Sequence, residues 1–135
     1  MVKRLTLMAL VILGCTSAET KENRADTSQV VSLEAKDFKQ SLDANPAAVI
    51  LDVRTPPEVA EGVIPGAINI DYNAPDFGEK IAALDKSKQY YVYCQAGVRS
   101  SKALNQMKAE GFTSVINLEG GYKSWVKNGY ETEKP

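Results

Sequence analysis

The 135-residue chain contains no histidine, which excludes a nucleophile activated by imidazole and any histidine-ligated metal site. Its two cysteines, Cys15 and Cys94, stand far apart and form no Cys-x-x-Cys, so no local dithiol is available for thioredoxin-like exchange. Neither sign of charge dominates: 16 Lys and Arg oppose 17 Asp and Glu, for a formal net charge of −1. No basic patch appears, and nucleic acid is not an expected partner. No internal repeat or second boundary interrupts residues 29–135, a length that suffices for one globular domain with a modest core.

What is present centres on one thiol. Tyr90-Tyr91-Val92-Tyr93 suits a buried strand and stops at Cys94. From Ser100 to Glu110 the apolar positions recur at helical spacing, with Ala103, Leu104 and Met107 on one face. Gly111 is placed to end that helix in the left-handed C′ conformation. Between strand and helix, Gln95, Ala96, Gly97, Val98 and Arg99 offer few bulky side chains. Gly97 lets the backbone fold in closely, so that N–H groups converge on a negative charge.

A cysteine beside a helix N-terminus, ringed by amide dipoles and near a guanidinium, is favoured as the thiolate, which is the reactive form. Cys94 is therefore the candidate nucleophile and the loop from Gln95 to Arg99 its anion cradle. Arg99 is expected to present a forked donor to an oxyanion such as a sulfonate or phosphate. The plain alternative is a small core cysteine at a strand end, but the strand-loop-helix setting is the one a site requires. With no histidine, activation must come from the loop. The spacing from Cys94 to Arg99 is one residue shorter than in the cysteine phosphatases, a narrower ring that suits a bound sulfur better than a phosphoryl group.

Three segments in order resemble the rhodanese family. Leu51-Asp52-Val53-Arg54-Thr55-Pro56-Pro57-Glu58-Val59-Ala60-Glu61-Gly62-Val63-Ile64-Pro65-Gly66-Ala67-Ile68-Asn69-Ile70 is similar to that family's first long signature, the Cys94 loop to its active loop, and Leu118-Glu119-Gly120-Gly121-Tyr122-Lys123-Ser124-Trp125 to its closing motif. The resemblance implies a rhodanese-like α/β fold, a mainly parallel five-stranded sheet flanked by helices on both faces. It also implies that Asp52 and Arg54 support the site from the active-site end of the sheet. On their own, charges at a strand end read first as a structural ion pair. Val63 stands where the family commonly has histidine, a change expected to touch packing. Gln95 stands where an arginine is common, leaving one positive charge fewer and disfavouring a doubly charged donor.

The pattern predicts strands over 30–33, 49–53, 67–69, 90–93 and 115–117, and helices over 36–42, 57–61, 77–84, 100–110 and 121–128. Such alternation argues for a parallel sheet covered on both faces, with ligands beyond the carboxyl ends of the strands, where Cys94 lies. Pro56, Pro57, Pro65, Gly62 and Gly66 read as turn punctuation. Trp125 reads as a core plug, and the tyrosines before Cys94 as a strand with alternating burial.

At the other end, Lys3 and Arg4 precede an apolar run from Leu5 to Leu13, too short to span a bilayer but suited to a secretory signal. Ile12-Leu13-Gly14-Cys15 resembles the bacterial lipobox, in which the chain is cut before the cysteine and that thiol is acylated. Residues 1–14 are then a lipoprotein-type leader, 15–28 the lipidated cysteine with a polar tether, and 29–135 the domain. Leu13 departs from the small residue usual at its place, so an ordinary signal with an incidental cysteine is the alternative. Acyl chains would hold the protein at a membrane at ~0.8 kcal/mol per buried methylene, with the domain on the order of 20 Å away. Thr16 follows Cys15, so by resemblance no inner-membrane retention signal is present. The expected place is the cell envelope, at the outer membrane or periplasmic face. Once Cys15 is acylated, Cys94 has no intramolecular partner in that oxidising setting.

The leading expectation is a sulfurtransferase. Cys94 would take sulfur from a small sulfur-containing anion, thiosulfate or a persulfide, and pass it to a thiol or cyanide-like acceptor by covalent catalysis, with no metal or organic cofactor. A second class is a sulfur-carrier or protein-interaction module with negligible turnover. A third, hydrolysis of phosphate or arsenate esters, is disfavoured by the short loop.

Overall fold

The computed structural model describes residues 28–135. The expected leader, Cys15 and the tether up to residue 27 lie outside the described residues. The elements run β1 (Gln29–Leu33), α1 (Ala35–Asp43), β2 (Val49–Asp52), α2 (Pro56–Ala60), β3 (Ile68–Asn69), α3 (Phe77–Ala82), β4 (Tyr90–Tyr93), α4 (Val98–Ala109), β5 (Ser114–Leu118) and α5 (Gly121–Lys127). The five strands form one sheet in the order β1-β5-β4-β2-β3. Every strand pairing is parallel, so the sheet is fully rather than mainly parallel. Among the described residues the one antiparallel contact is an isolated bridge from Val63 to Glu133, and Val63 is a packing position, 5 % exposed. Among the described residues no helix is long and apolar enough to cross a membrane.

Parallel sheets need cover on both faces, and the core divides accordingly. On one face Leu51, Val92 and Val115 pack with Phe77 and Ile81 of α3 and with Ala103, Leu104 and Met107 of α4. On the other, Tyr91, Tyr93, Ile116 and Leu118 pack with Phe38 of α1 and Trp125 of α5. Because β4 is central, all four of its residues are buried; the alternating burial expected for its tyrosines does not occur. Each phenol finds a partner, as buried hydroxyls must. Tyr90 donates to the Asp85 carbonyl at 2.7 Å, Tyr91 meets Ser41 Oγ at 2.7 Å, and Tyr93 accepts from the Ile64 amide at 3.1 Å.

Three helix starts fall earlier than the pattern predicts: α1 by one residue, at Ala35, and α2 and α4 for local reasons. α2 begins at Pro56, whose missing N–H and preset φ suit the first helical position, while Glu58 Oε2 accepts from the Thr55 amide at 3.0 Å and from its hydroxyl at 2.8 Å. α4 begins at Val98 rather than Ser100 because Gly97 takes φ 97° and turns the chain directly into the helix. It ends as predicted: with Gly111 at φ 96°, the Phe112 amide bonds to Met107 O and the Gly111 amide to Lys108 O, each at 3.1 Å. That is a Schellman closure.

Candidate active site

Cys94 follows the last residue of the central strand, at the carboxyl end of the sheet, and is 1 % exposed. The loop carries the chain from there into α4 in so few residues that its peptide groups cannot all pair within it. α5 takes up the carbonyl side. The Tyr122 amide donates to Cys94 O at 2.8 Å and the Lys123 amide to Gln95 O at 3.1 Å. This approach depends on Gly121, at φ 62°, where a Cβ would lie 2.6 Å from Cys94 O and 2.7 Å from the Ala96 nitrogen. Gly97 and Gly120 meet on the same seam, with a Cβ at Gly97 only 3.1 Å from the Gly120 nitrogen.

With its carbonyls held from behind, the loop aims donors at the sulfur. The Gly97 amide donates to Cys94 Sγ at 3.1 Å and the Ser100 hydroxyl donates to the same sulfur at 3.3 Å. Burial pushes the Cys94 thiol up, but donation from the Ser100 hydroxyl and from the amides of Ser100, Ala96 and Gly97 outweighs it. The group ends below its ordinary value, with the thiolate favoured.

Ser100 is fully buried, and in the sequence it reads only as a helix start. Replacing it with alanine should move the thiol pKa upward, since a hydrogen bond to a charged group stabilises that charged form by about 1.5–3 kcal/mol. Reactivity rises with pH as the thiolate forms. In Ser100→Ala that rise therefore shifts to higher pH, as alkylation of Cys94 by iodoacetamide across a pH series will show.

Of the two positive groups, Arg99 is placed differently from expectation and Arg54 is not. The Arg99 fork, expected to face an oxyanion, is engaged by Glu58: Nη1 donates to Oε2 at 2.8 Å and Nη2 to Oε1 at 2.7 Å. The Arg99 guanidinium, with help from Thr55, holds the Glu58 carboxyl down at about 2 despite the opposing effect of burial. Arg99 still senses the Cys94 sulfur and Asp71 electrostatically. Nothing in the sequence marks Glu58, in the first motif, as a partner for Arg99, in the Cys94 loop.

Asp52 and Arg54 form a fully buried ion pair. Arg54 Nη2 donates to Asp52 Oδ2 at 2.7 Å, and Nε spans both carboxylate oxygens at 3.1 Å. Burial pulls the Arg54 guanidinium down, yet Asp52 and Tyr93 raise it above its usual value. The same guanidinium reaches Gly62 O at 2.7 Å and Gln95 Oε1 at 3.2 Å. It also lies over the Tyr122 ring, 4.1 Å from the centroid. Arg54 thus joins β2, the turn after α2, the Cys94 loop and α5 at one point. Val98 points outward, 64 % exposed, at the edge of the loop. Among the described residues no group of three or more His, Cys, Asp or Glu is arranged to hold a metal ion.

Comparison with known proteins places these features in context. The family described as Rhodanese-like domain matches residues 34–128. "Thiosulfate sulfurtransferase 16, chloroplastic" of Arabidopsis thaliana is 41% identical over 93 residues, 62% of this chain and 78% of that protein. A protein of Allochromatium vinosum named "Sulfurtransferase" is 27% identical over 106 residues, 78% of this chain and 97% of its own. Among solved structures, a rhodanese-related protein from Thermoplasma volcanium superposes with a TM-score of 0.67 at 33% identity, covering 76% of this chain and 96% of that one.

Proposed function

The chain belongs to the rhodanese-like domain family, and from that premise we propose that it moves sulfane sulfur through a persulfide on Cys94. The observation that carries this reading is the sulfur held by the Gly97 amide at 3.1 Å and by Ser100 Oγ at 3.3 Å, a cradle that stabilises negative charge without a base. Cys94 thiolate attacks the outer sulfur of thiosulfate or a small persulfide. The new S–S bond forms as the donor's own bond to that sulfur breaks, and sulfite or a thiolate leaves with the electron pair. A thiol or cyanide then attacks the outer sulfur of the Cys94 persulfide, taking that sulfur and returning Cys94 as thiolate. Charge passes to the terminal sulfur in the first step, where the amides of the loop stabilise it.

Incubating the chain with thiosulfate or a small persulfide should add one sulfur atom to the intact mass, and subsequent cyanide should remove it as thiocyanate over many cycles. A second reading, a sulfur carrier or interaction module, is favoured by the 1 % exposure of Cys94 and by the closure of the Arg99 fork. It would show the adduct and its single discharge without turnover. Absence of any adduct would remove both sulfur-handling readings.

The same proposal places the protein in the cell envelope through an acylated Cys15, on the strength of the leader and the Ile12-Leu13-Gly14-Cys15 stretch. Cys15→Ser should move it from the membrane to the soluble fraction. A variant that still sediments with membranes refutes the anchor.

A further inference from the structure

Thiosulfate and an organic persulfide deliver the same sulfur atom but differ in charge, and the charges around Cys94 discriminate between them. Two guanidinium groups lie in the site. Arg54 is fully buried against Asp52, and Arg99 is held at both ends of its fork by Glu58, with Asp71 acting on it as well. The loop position next to the nucleophile is the neutral Gln95, whose side-chain oxygen is turned to Arg54. Against the two cations therefore stand three carboxylates and the thiolate itself. Lys102 and Lys123 are exposed near the starts of α4 and α5, where water and salt screen them.

We infer that Glu58 is a specificity-determining residue: by occupying the Arg99 fork it leaves the mouth of the Cys94 loop without an open cationic site, so the donor is a persulfide of low charge rather than a dianion such as thiosulfate. The inference rests on the sulfurtransferase reading and selects among its donors. A dianion must either displace Glu58 from a bidentate ion pair or approach a net negative site. A hydropersulfide meets neither obstacle. Cys94 thiolate attacks its outer sulfur, the S–S bond of the donor breaks, its thiolate leaves with the electron pair, and the sulfur now carried by Cys94 loses its proton to water, giving the charged terminus that the loop amides stabilise. No oxidant or reductant is needed, because the sulfane sulfur changes partner and not oxidation state.

Glu58 acts through Arg99 and does not touch the reacting atoms, so its test must read selectivity. Full-length protein is assayed with thiosulfate and with the hydropersulfide of N-acetylcysteine methyl ester, generated in situ, each with cyanide as acceptor. Glu58→Gln keeps an oxygen for the Thr55 amide while removing the charge. It should raise the ratio of kcat/KM for thiosulfate over the persulfide, which is at most singly charged, by about tenfold, through KM for thiosulfate. Glu58→Asp should hold the ratio nearer that of the natural protein.

A second measurement needs no variant. Raising potassium chloride from low ionic strength to about 0.15 M should accelerate the natural protein with thiosulfate several-fold, because like charges are being screened, and change the persulfide, at most singly charged, distinctly less. A thiosulfate rate that falls with salt overturns the inference, as does a ratio that Glu58→Gln leaves unmoved in a folded protein. Should neither donor add sulfur to Cys94, the intact mass will show it; the underlying sulfurtransferase reading then fails and takes the donor choice with it.

Discussion

Cys94→Ser is expected to fold as the natural protein does and to lose sulfur transfer by about three orders of magnitude or more. The expectation follows from which properties of the site survive the change. Serine is nearly isosteric, so the Gly97 amide and the Ser100 hydroxyl, at 3.1 and 3.3 Å from the sulfur, retain an acceptor and the loop keeps its shape. What disappears is ionisation. The thiol is drawn below its ordinary value by those donors, whereas an aliphatic hydroxyl stays protonated at neutral pH and forms no persulfide. The measurement pairs thermal unfolding with intact mass and thiocyanate formation on the same samples. Undiminished transfer in a folded variant would move the chemistry away from Cys94, and the only other cysteine in the chain is Cys15.

Arg54→Ala carries the largest expected loss of stability, about 3–5 kcal/mol, because removing one partner leaves the other charge buried and unpaired. Asp52 is 0 % exposed and has no route to water. The loss also releases Gly62 O, which accepts from Nη2 at 2.7 Å, and empties the space beside the Tyr122 ring. Urea unfolding should show the fall as a lower midpoint. The double variant Asp52→Ala with Arg54→Ala should be less destabilised than the two single losses summed, since neither charge is then stranded. By contrast, removing the exposed pair of Lys39 and Asp43 should change stability by less than about 1 kcal/mol. An Arg54→Ala effect of that small size would mean that the buried pair is not a keystone of the fold.

The order and type of the elements were legible because the chain declares them locally. β-Branched and aromatic runs mark β2, β4 and β5, and glycines mark the ends of α4 and its loop. The candidate site was legible for the same reason, since Cys94, Gly97 and the helix that follows lie within a few residues of one another. Three features were not. Glu58 and Arg99 are 41 residues apart, and only the sheet order, with β4 beside β2, brings them together. Ser100 carries the ordinary signature of a residue near a helix start, and its approach to the sulfur comes from the early start of α4 that the φ of Gly97 imposes. The complete burial of β4 depends on helices from both ends of the domain, which no alternation within Tyr90–Tyr93 can announce.

The seam between α5 and the Cys94 loop is made of main chain on both sides: Tyr122 and Lys123 give amides, Cys94 and Gln95 give carbonyls. Such bonds are indifferent to side-chain identity. The one residue type they dictate is glycine, at position 121, where a methyl group would collide with the loop, and at 97 and 120, where the chain takes positive φ on the same seam. Ala96 and Val98 can therefore be exchanged for other residues while the curvature of the loop is inherited unchanged. The curve of the cradle is thus a property of main chain, and point changes at the exposed rim, Ala96 and Val98, leave the cradle beneath as it is.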